Sequence, residues 1–223
     1  MLTPYLHEDK ETLLKLSAIS LKLGDNLILR NVEAEVKDIT RPDRPDIKQG
    51  QVVCILGKSG IGKTQLFRTI AGLQKPTSGQ VLVGQKEEPV HAGMVGVVFQ
   101  SYPLTKRLTI IQTLIRAGMQ AGLPKNQARE KGADLLQKFG IPERKNFYPA
   151  QLSGGQQQRV AIAEQMMCSE KLILMDEPFS GLDYVAKQRT CDFINVVAEE
   201  DEENTIILVT HDLETGPAIA DHL

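Results

Sequence analysis

A glycine-rich segment at residues 57–64 has the spacing of a phosphate-binding loop. The pattern G-x-x-x-x-G-K-T directly follows an apolar run at 51–56, and a helical pattern follows it from Gln65. In such a loop, backbone N–H groups turn inward around phosphate oxygens, the lysine reaches the outer phosphates and the hydroxyl ligates Mg²⁺. We therefore predict a nucleotide phosphate site made by Gly57, Lys58, Ser59, Gly60, Ile61, Gly62, Lys63 and Thr64.

Two adjacent carboxylates, Asp176 and Glu177, end a second apolar run at 172–175. The carboxyl ends of parallel strands form the ligand crevice of an open α/β sheet. Neighbouring acids there repel each other unless a cation or a proton transfer uses them. We predict that Asp176 lies beside Mg²⁺ and that Glu177 accepts a proton from a water aimed at the γ-phosphate. A solvated acidic turn is the alternative.

The segment 152–156, which reads Leu152-Ser153-Gly154-Gly155-Gln156, predicts the start of another helix. Ser153 and Gln156 have the spacing of a capping box, and a helical pattern runs from Gln157 to Met167. The N–H groups behind the two glycines would form a second anion site. Taken alone, the segment indicates only a helix start.

The elements that position these residues alternate between strands and helices. Continuous apolar runs at 51–56, 172–175 and 205–209 predict strands buried on both faces of a parallel sheet, and alternation at 12–36 predicts an antiparallel sheet. Shorter strands are predicted at 79–85 and 93–100, helices within 107–139, and a loop, a solvated surface insertion, at 37–48. The pattern is that of an α/β core.

Composition excludes several classes of protein. The 223 residues are 41% hydrophobic and 24% charged, which excludes wholesale disorder, and the net charge of −2 disfavours a basic nucleic-acid binder. The three widely spaced cysteines do not suggest a disulfide framework. No stretch approaches the roughly 18 apolar residues that span a bilayer. We expect a soluble, cytoplasmic chain with no nucleic-acid partner, linked to any membrane through another protein.

The order of these motifs strongly resembles the ATP-binding-cassette (ABC) ATPase family, from about Leu13 to the C-terminus. Gln100 stands where the family has its Q-loop glutamine, and His211 stands at its switch histidine. The family's D-loop corresponds to Ser180, Gly181, Leu182 and Asp183. The resemblance implies a P-loop NTPase (RecA-like) α/β core with an antiparallel β subdomain and an inserted helical subdomain. The expected divisions are 12–100, 101–152 and 153–223.

The resemblance also implies residue roles. Gln100, Thr64 and Asp176 would hold Mg²⁺, while His211 would hold the γ-phosphate and the attacking water. Two cassettes would associate head to tail, with each ATP between the phosphate loop of one and residues 152–156 of the other. Asp183 would couple the two sites.

The resemblance further implies the ATPase subunit of a membrane transporter, peripheral on the inner face of the cell membrane. Residues 97–114 and Phe179 resemble importer ATPases for small polar solutes or anions. The partners would be a second ABC ATPase subunit, with a homodimer favoured, a transmembrane permease and an extracytoplasmic solute-binding protein. The alternatives are a non-transport ABC ATPase of DNA repair or translation, and a P-loop kinase or binding module.

The sequence departs from the family pattern in three respects. Leu23 stands where an aromatic residue commonly stacks on adenine, so π-stacking is not available there. Glu164 replaces a common arginine and reverses the charge. Most members continue beyond the equivalent of Leu223 with two strands and a short C-terminal region, so we expect 223 residues to be a fragment's length.

Overall fold

The structure is a computed structural model that describes residues 8–40, 50–168, 172–200 and 204–223, and within them it contains two four-stranded sheets. The strands are β1 (Glu8–Leu23), β2 (Asn26–Thr40), β3 (Gln51–Leu56), β4 (Ser78–Val83), β5 (Glu88–Pro89), β6 (Gly96–Val98), β7 (Leu172–Asp176) and β8 (Thr205–Thr210). The α-helices are α1 (Lys63–Ile70), α2 (Ile110–Gln120), α3 (Lys125–Lys138), α4 (Gly154–Cys168), α5 (Tyr184–Glu199) and α6 (Thr215–Ile219).

The parallel sheet has the order β3-β8-β7-β6. Strand β8 pairs with β3 on one side and with β7 on the other, so that Ile206 is opposite both Val52 and Ile173. All six residues of β8 are buried, because helices cover both faces of a parallel sheet. This burial is what the continuous apolar runs predict.

The antiparallel sheet has the order β2-β1-β4-β5 and begins with a long hairpin that turns between Leu23 and Asn26. Its alternating residues place Leu14 and Leu16 on the buried face. The loop prediction at 37–48 is wrong at its start, because β2 continues through Thr40. Ile39 is only 3% exposed, and its burial holds the strand to the sheet. The part of that prediction at 41–48 lies outside the described residues.

The segment between β6 and α4 is helical. Helices α2 and α3 pack on α4, and their fully buried side chains include Ile110, Leu114 and Leu136. Thr109 begins α2 with a capping box, in which its backbone N–H donates to Gln112 Oε1 at 2.9 Å. Short 3₁₀ turns at Pro142–Arg144 and Pro149–Gln151 then lead the chain to α4.

Other element boundaries also differ from the sequence prediction. Strand β6 covers only 96–98 of the predicted 93–100, because a turn in which Met94 N–H donates to the His91 carbonyl precedes it. Helix α1 begins at Lys63 and α4 at Gly154, both earlier than the helical patterns indicate. Across the described ranges, no helix has both the length and the apolar character needed to cross a bilayer.

Candidate functional site

The carboxyl ends of the four parallel strands lie along one edge of the sheet. Strand β3 leads into the phosphate loop at 57–64, and β8 leads into His211. Strand β7 ends at Asp176, directly before Glu177, and β6 leads to Gln100. Backbone hydrogen bonds connect the ends of these strands. Gly57 N–H donates to the Thr210 carbonyl at 3.3 Å, and Glu177 N–H donates to the Val209 carbonyl at 2.8 Å. The topology therefore brings together residues that are far apart in the chain.

The phosphate loop reaches α1 through Gly62, which has a left-handed backbone with φ of 101°. A Cβ at this position would lie 3.1 Å from Ile28 Cγ2 and 3.2 Å from the Ile28 carbonyl oxygen, so glycine is required for both conformation and space. Helix α1 has no side-chain cap at its N-terminus. Its first N–H groups, with the positive end of the helix dipole, therefore face the loop.

Lys63 is buried, and its ammonium lies inside the loop. Its Nζ donates to the carbonyl oxygens of Gly57 at 2.7 Å and Lys58 at 3.1 Å. The same Nζ lies 3.7 Å from Glu177 Oε1. A cation that is shielded from water interacts more strongly with an incoming anion than an exposed cation does. The predicted phosphate-binding lysine is therefore held close to the predicted general base.

Glu177 has a left-handed backbone conformation and a carboxylate that accepts three hydrogen bonds. Its φ is +48°, and this left-handed conformation costs a non-glycine residue about 1–3 kcal/mol. The hydrogen bond from the Glu177 backbone N–H to the Val209 carbonyl helps to maintain the conformation. Glu177 Oε2 accepts hydrogen bonds from Thr210 Oγ1 at 3.0 Å, from the His211 backbone N–H at 3.3 Å and from His211 Nδ1 at 2.8 Å. Thr210 was not among the site residues predicted from the sequence, although its position at the end of a strand and directly before His211 could have indicated it.

Asp176 is a half-buried acid beside these groups. Burial raises the pKa of Asp176, the negative charge of Glu177 raises it further, and Lys63 opposes both effects. A bound cation would relieve this cost, so the residue fits a metal. In the described ranges, no group of three or more His, Cys, Asp and Glu side chains is arranged so that it could hold a metal ion by itself. A cation here would therefore also need the oxygens of Thr64 and Gln100 and those of a bound phosphate, a donor set that suits Mg²⁺.

A cleft of about 440 Å³ lies next to Glu177, and Gln100 and Ser180 contribute to its wall. Residues 153–156 line it as well, whereas the phosphate loop does not. The capping box predicted there is present, since Ser153 N–H donates to Gln156 Oε1 at 3.1 Å and Gln156 N–H donates to Ser153 Oγ at 3.4 Å. Within one chain, this cleft therefore brings residues 153–156 together with Glu177 and Gln100.

The segment 180–183 ends by capping a helix. Asp183 Oδ1 accepts a hydrogen bond from Ala186 N–H at 2.8 Å, which is the N-cap bond of α5. Before it, Phe179 is fully buried in the core. On the first turn of α5, Lys187 forms an ion pair with Asp212, the residue after His211. This ion pair links the first turn of α5 to the loop that contains His211, and it was not predicted from the sequence.

Leu23 is the last residue of β1 and is 39% exposed. It lies on the same hairpin as Ile28, which contacts the Gly62 position of the phosphate loop. Leu27, the residue opposite Lys22 in the hairpin, is also exposed. The hairpin that contacts the phosphate loop therefore has aliphatic residues at its exposed turn, where the resemblance leads us to expect an aromatic residue.

Comparison with known proteins gives consistent matches. The family model described as "ABC transporter" matches residues 42–180. The sulfate/thiosulfate import ATP-binding protein CysA of Mesorhizobium japonicum is 36% identical over 186 residues, which are 80% of this chain and 53% of that protein. The glutamine transport ATP-binding protein GlnQ of Geobacillus stearothermophilus is 37% identical over 185 residues, which are 79% of this chain and 76% of that protein.

A solved structure has the same fold. It is cbiO1 from Clostridium perfringens, part of the ABC transporter complex cbiONQ, with a TM-score of 0.80 and 27% identity. The match covers 95% of this chain and 83% of that one. This chain spans about half the length of CysA and of the Fe(3+) ions import ATP-binding protein FbpC of Brucella melitensis, of which it covers 53% and 50%.

These matches confirm the fold class predicted from the sequence, a P-loop NTPase core with an antiparallel β subdomain and an inserted helical subdomain. The family match and the relatives agree with the resemblance that the ordered motifs of the sequence carry. The chain belongs to the ABC transporter family.

Proposed function

We propose that the chain is the ATP-binding and ATP-hydrolysing subunit of an ABC importer. The observation that carries this proposal is the position of Glu177. Its carboxylate is fixed by Thr210 and His211 and lies beside Lys63 at the strand-end edge of the sheet. A phosphate-binding cation and a general base are thus held within one small site.

The reaction follows from the roles of these residues. Water attacks the γ-phosphorus, the bond to the β–γ bridging oxygen breaks, and the proton of the water passes to Glu177 and then to the released phosphate. Lys63 and the N–H groups of the phosphate loop stabilise the charge that builds up on the phosphate oxygens. Thr64, Asp176 and Gln100 would hold Mg²⁺, which neutralises phosphate charge when bound. Orientation of the water falls to Glu177 and His211.

Dimerisation completes the site in this proposal. Residues 152–156 would contact the nucleotide bound to a second copy of the chain, with Ser153 and Gly155 closest to it. The proposal is supported by the exposure of residues 153–155, which lie at the start of α4 and line the open cleft beside Glu177. Asp183 would couple the two sites. It is the last residue of the 180–183 segment and caps α5, so it joins that segment to the helix.

Coupling to transport would take place through a separate permease on the inner face of the cell membrane. The helical segment carries a groove of about 580 Å³ whose walls combine apolar Ile115 and Met119 with basic Arg116, Lys125 and Arg129. We propose that a permease segment docks in this region. The relatives named for import of sulfate/thiosulfate and of Fe(3+) ions support import as the direction of transport. We propose that the substrate is a small polar solute or anion and that an extracytoplasmic solute-binding protein delivers it.

The decisive experiment is the variant Glu177→Gln. We expect kcat for ATP hydrolysis to fall at least 100-fold, because the general base is lost, while the Kd for ATP stays within about threefold. The variant should also form an ATP-dependent dimer, measured by light scattering. Glu199→Gln, at the exposed end of α5, is the matched control and should behave as wild type. Hydrolysis by Glu177→Gln at the wild-type rate would instead favour a P-loop kinase or binding module.

The transport proposal needs its own test. The tagged chain, expressed in its native cells and purified from detergent-solubilised membranes, should recover a polytopic membrane protein. Recovery of soluble partners alone would favour the non-transport alternative.

A further inference from the structure

Glu164 on α4, the position where the charge is reversed relative to the family pattern, has a partner on α2. Arg116 Nη2 lies 3.8 Å from Glu164 Oε1, and it also donates a hydrogen bond to Thr105 Oγ1 at 2.6 Å. Thr105 belongs to the segment that joins β6 to α2 and contains Gln100. Arg116 therefore connects this segment to α4 across two helices.

The next residue on α4 holds the strand that leads into this segment. Gln165 Oε1 accepts a hydrogen bond from the backbone N–H of Val97 in β6 at 3.0 Å. The packing is close, since a Cβ at Gly96 would lie 3.2 Å from Gln165 Cβ. Two consecutive residues of α4 thus hold the segment on both sides of Gln100, one directly and one through Arg116.

The local environment favours this connection. The Glu164 side chain is 20% exposed, so a charge there needs a partner. Burial raises the pKa of Glu164, and the positive charge of Arg116 opposes that rise. The Arg116 guanidinium donates to the Thr105 hydroxyl and forms an ion pair with the Glu164 carboxylate, so it fixes these two groups relative to each other.

We propose that Arg116, Glu164 and Gln165 are positioning residues that tie the Gln100 segment to α4. Helix α4 begins within the segment 152–156 and is 15 residues long, which is roughly 22 Å at 1.5 Å per residue. A rigid rod of this length transmits a displacement of its N-terminus to its later turns. Contact of residues 152–156 with a nucleotide would therefore shift Gln100 as well. This inference rests on the proposed ATPase function.

The test is a charge exchange between α2 and α4. Arg116→Glu and Glu164→Arg are each expected to lower kcat for ATP hydrolysis about fivefold to tenfold and to leave KM for ATP within twofold. KM should be preserved because the phosphate loop is not part of the connection. The double variant Arg116→Glu/Glu164→Arg should recover kcat to within about twofold of wild type. This rescue would show that the two side chains act as a pair, and a preserved KM for ATP would separate their effect from a general loss of folded protein.

Hydrogen exchange gives a readout that does not depend on activity. Amides in a peptide covering 99–108 should exchange about tenfold faster in each single variant and at the wild-type rate in the double variant, with a peptide covering 51–57 as internal reference. Thr105→Val removes only the hydroxyl contact and should raise exchange in 99–108 more weakly, which keeps the test usable if a charge variant does not fold.

The control is Asp134→Lys, which breaks an ion pair of 2.9 Å with Lys138 on α3 and is remote from the segment in the chain. Single variants that match this control in both kcat and exchange would overturn the inference, as would a double variant no better than the singles. If the wild-type chain does not hydrolyse ATP, the proposed function fails, while the exchange data still test the connection.

Discussion

The His211 imidazole and the Glu177 carboxylate form a hydrogen bond of 2.8 Å between Nδ1 and Oε2 across 34 residues of sequence. A carboxylate only accepts, so Nδ1 carries the proton and donates it to Glu177. This hydrogen bond fixes the orientation of the imidazole ring relative to the Glu177 carboxylate. We infer that His211 acts mainly by orienting Glu177 and the attacking water.

We therefore expect His211→Ala to lower kcat for ATP hydrolysis roughly tenfold to 100-fold with little change in the Kd for ATP. Steady-state kinetics and titration calorimetry measure the two quantities. His91→Ala, in an exposed turn, is the control. A large loss of ATP affinity in His211→Ala would show instead that the ring binds the nucleotide directly.

Lys63→Ala should weaken ATP binding roughly tenfold to 100-fold, because a charge-assisted contact contributes about 1.5–3 kcal/mol. Calorimetric titration with ATP measures the change in Kd. Lys75→Ala removes an exposed lysine after α1 and should bind as wild type. Equal affinities in the two variants would place the phosphates away from Lys63.

Leu23→Tyr should strengthen ATP binding roughly threefold to tenfold, since aromatic stacking contributes about 0.5–1.5 kcal/mol beyond burial. The position is exposed enough to accept the larger side chain. Leu73→Tyr, another exposed leucine, is the matched control. If Leu23→Tyr leaves the Kd unchanged, the adenine base does not lie on the end of β1.

The Lys187–Asp212 pair predicts a pH dependence of stability. Burial by itself would raise the pKa of Asp212, but hydrogen bonds from Lys187 and Thr215 and the backbone N–H of Glu214 hold it well below the usual range. A depressed pKa in the folded state stabilises the fold above the unfolded pKa of about 4, and this contribution is lost as the pH falls below that value.

Asp212→Asn should therefore lower the free energy of unfolding at pH 7 by about 2 kcal/mol, as expected for hydrogen bonds to a charged group. Urea unfolding at several pH values should show the difference from wild type shrinking below about pH 4. Asp192→Asn, exposed on α5, serves as the control. A difference that stays constant down to pH 3 would contradict an ionic role for Asp212.

The elements that carry long apolar runs could be read from the sequence almost to the residue. Strand β3 covers the predicted 51–56, and β7 and β8 each extend the prediction by one residue. The central residues of these strands are buried on both faces, so apolar residues follow one another without alternation. Strand β6 and the end of β2 were less predictable, because a turn before β6 and the burial of Ile39 depend on contacts with distant residues.

Residue types and local spacing determined the phosphate loop, the acidic strand end and the capping box at Ser153, since each of these is made by neighbours in the chain. Only the tertiary structure decided the strand order β3-β8-β7-β6, which places His211 between the phosphate loop and Glu177 along the sheet edge. It also decided the contacts of Lys63 with Glu177 and of Arg116 with Glu164. The physical reason is that side-chain contacts between distant segments depend on which strands and helices become neighbours, and no local pattern encodes that choice.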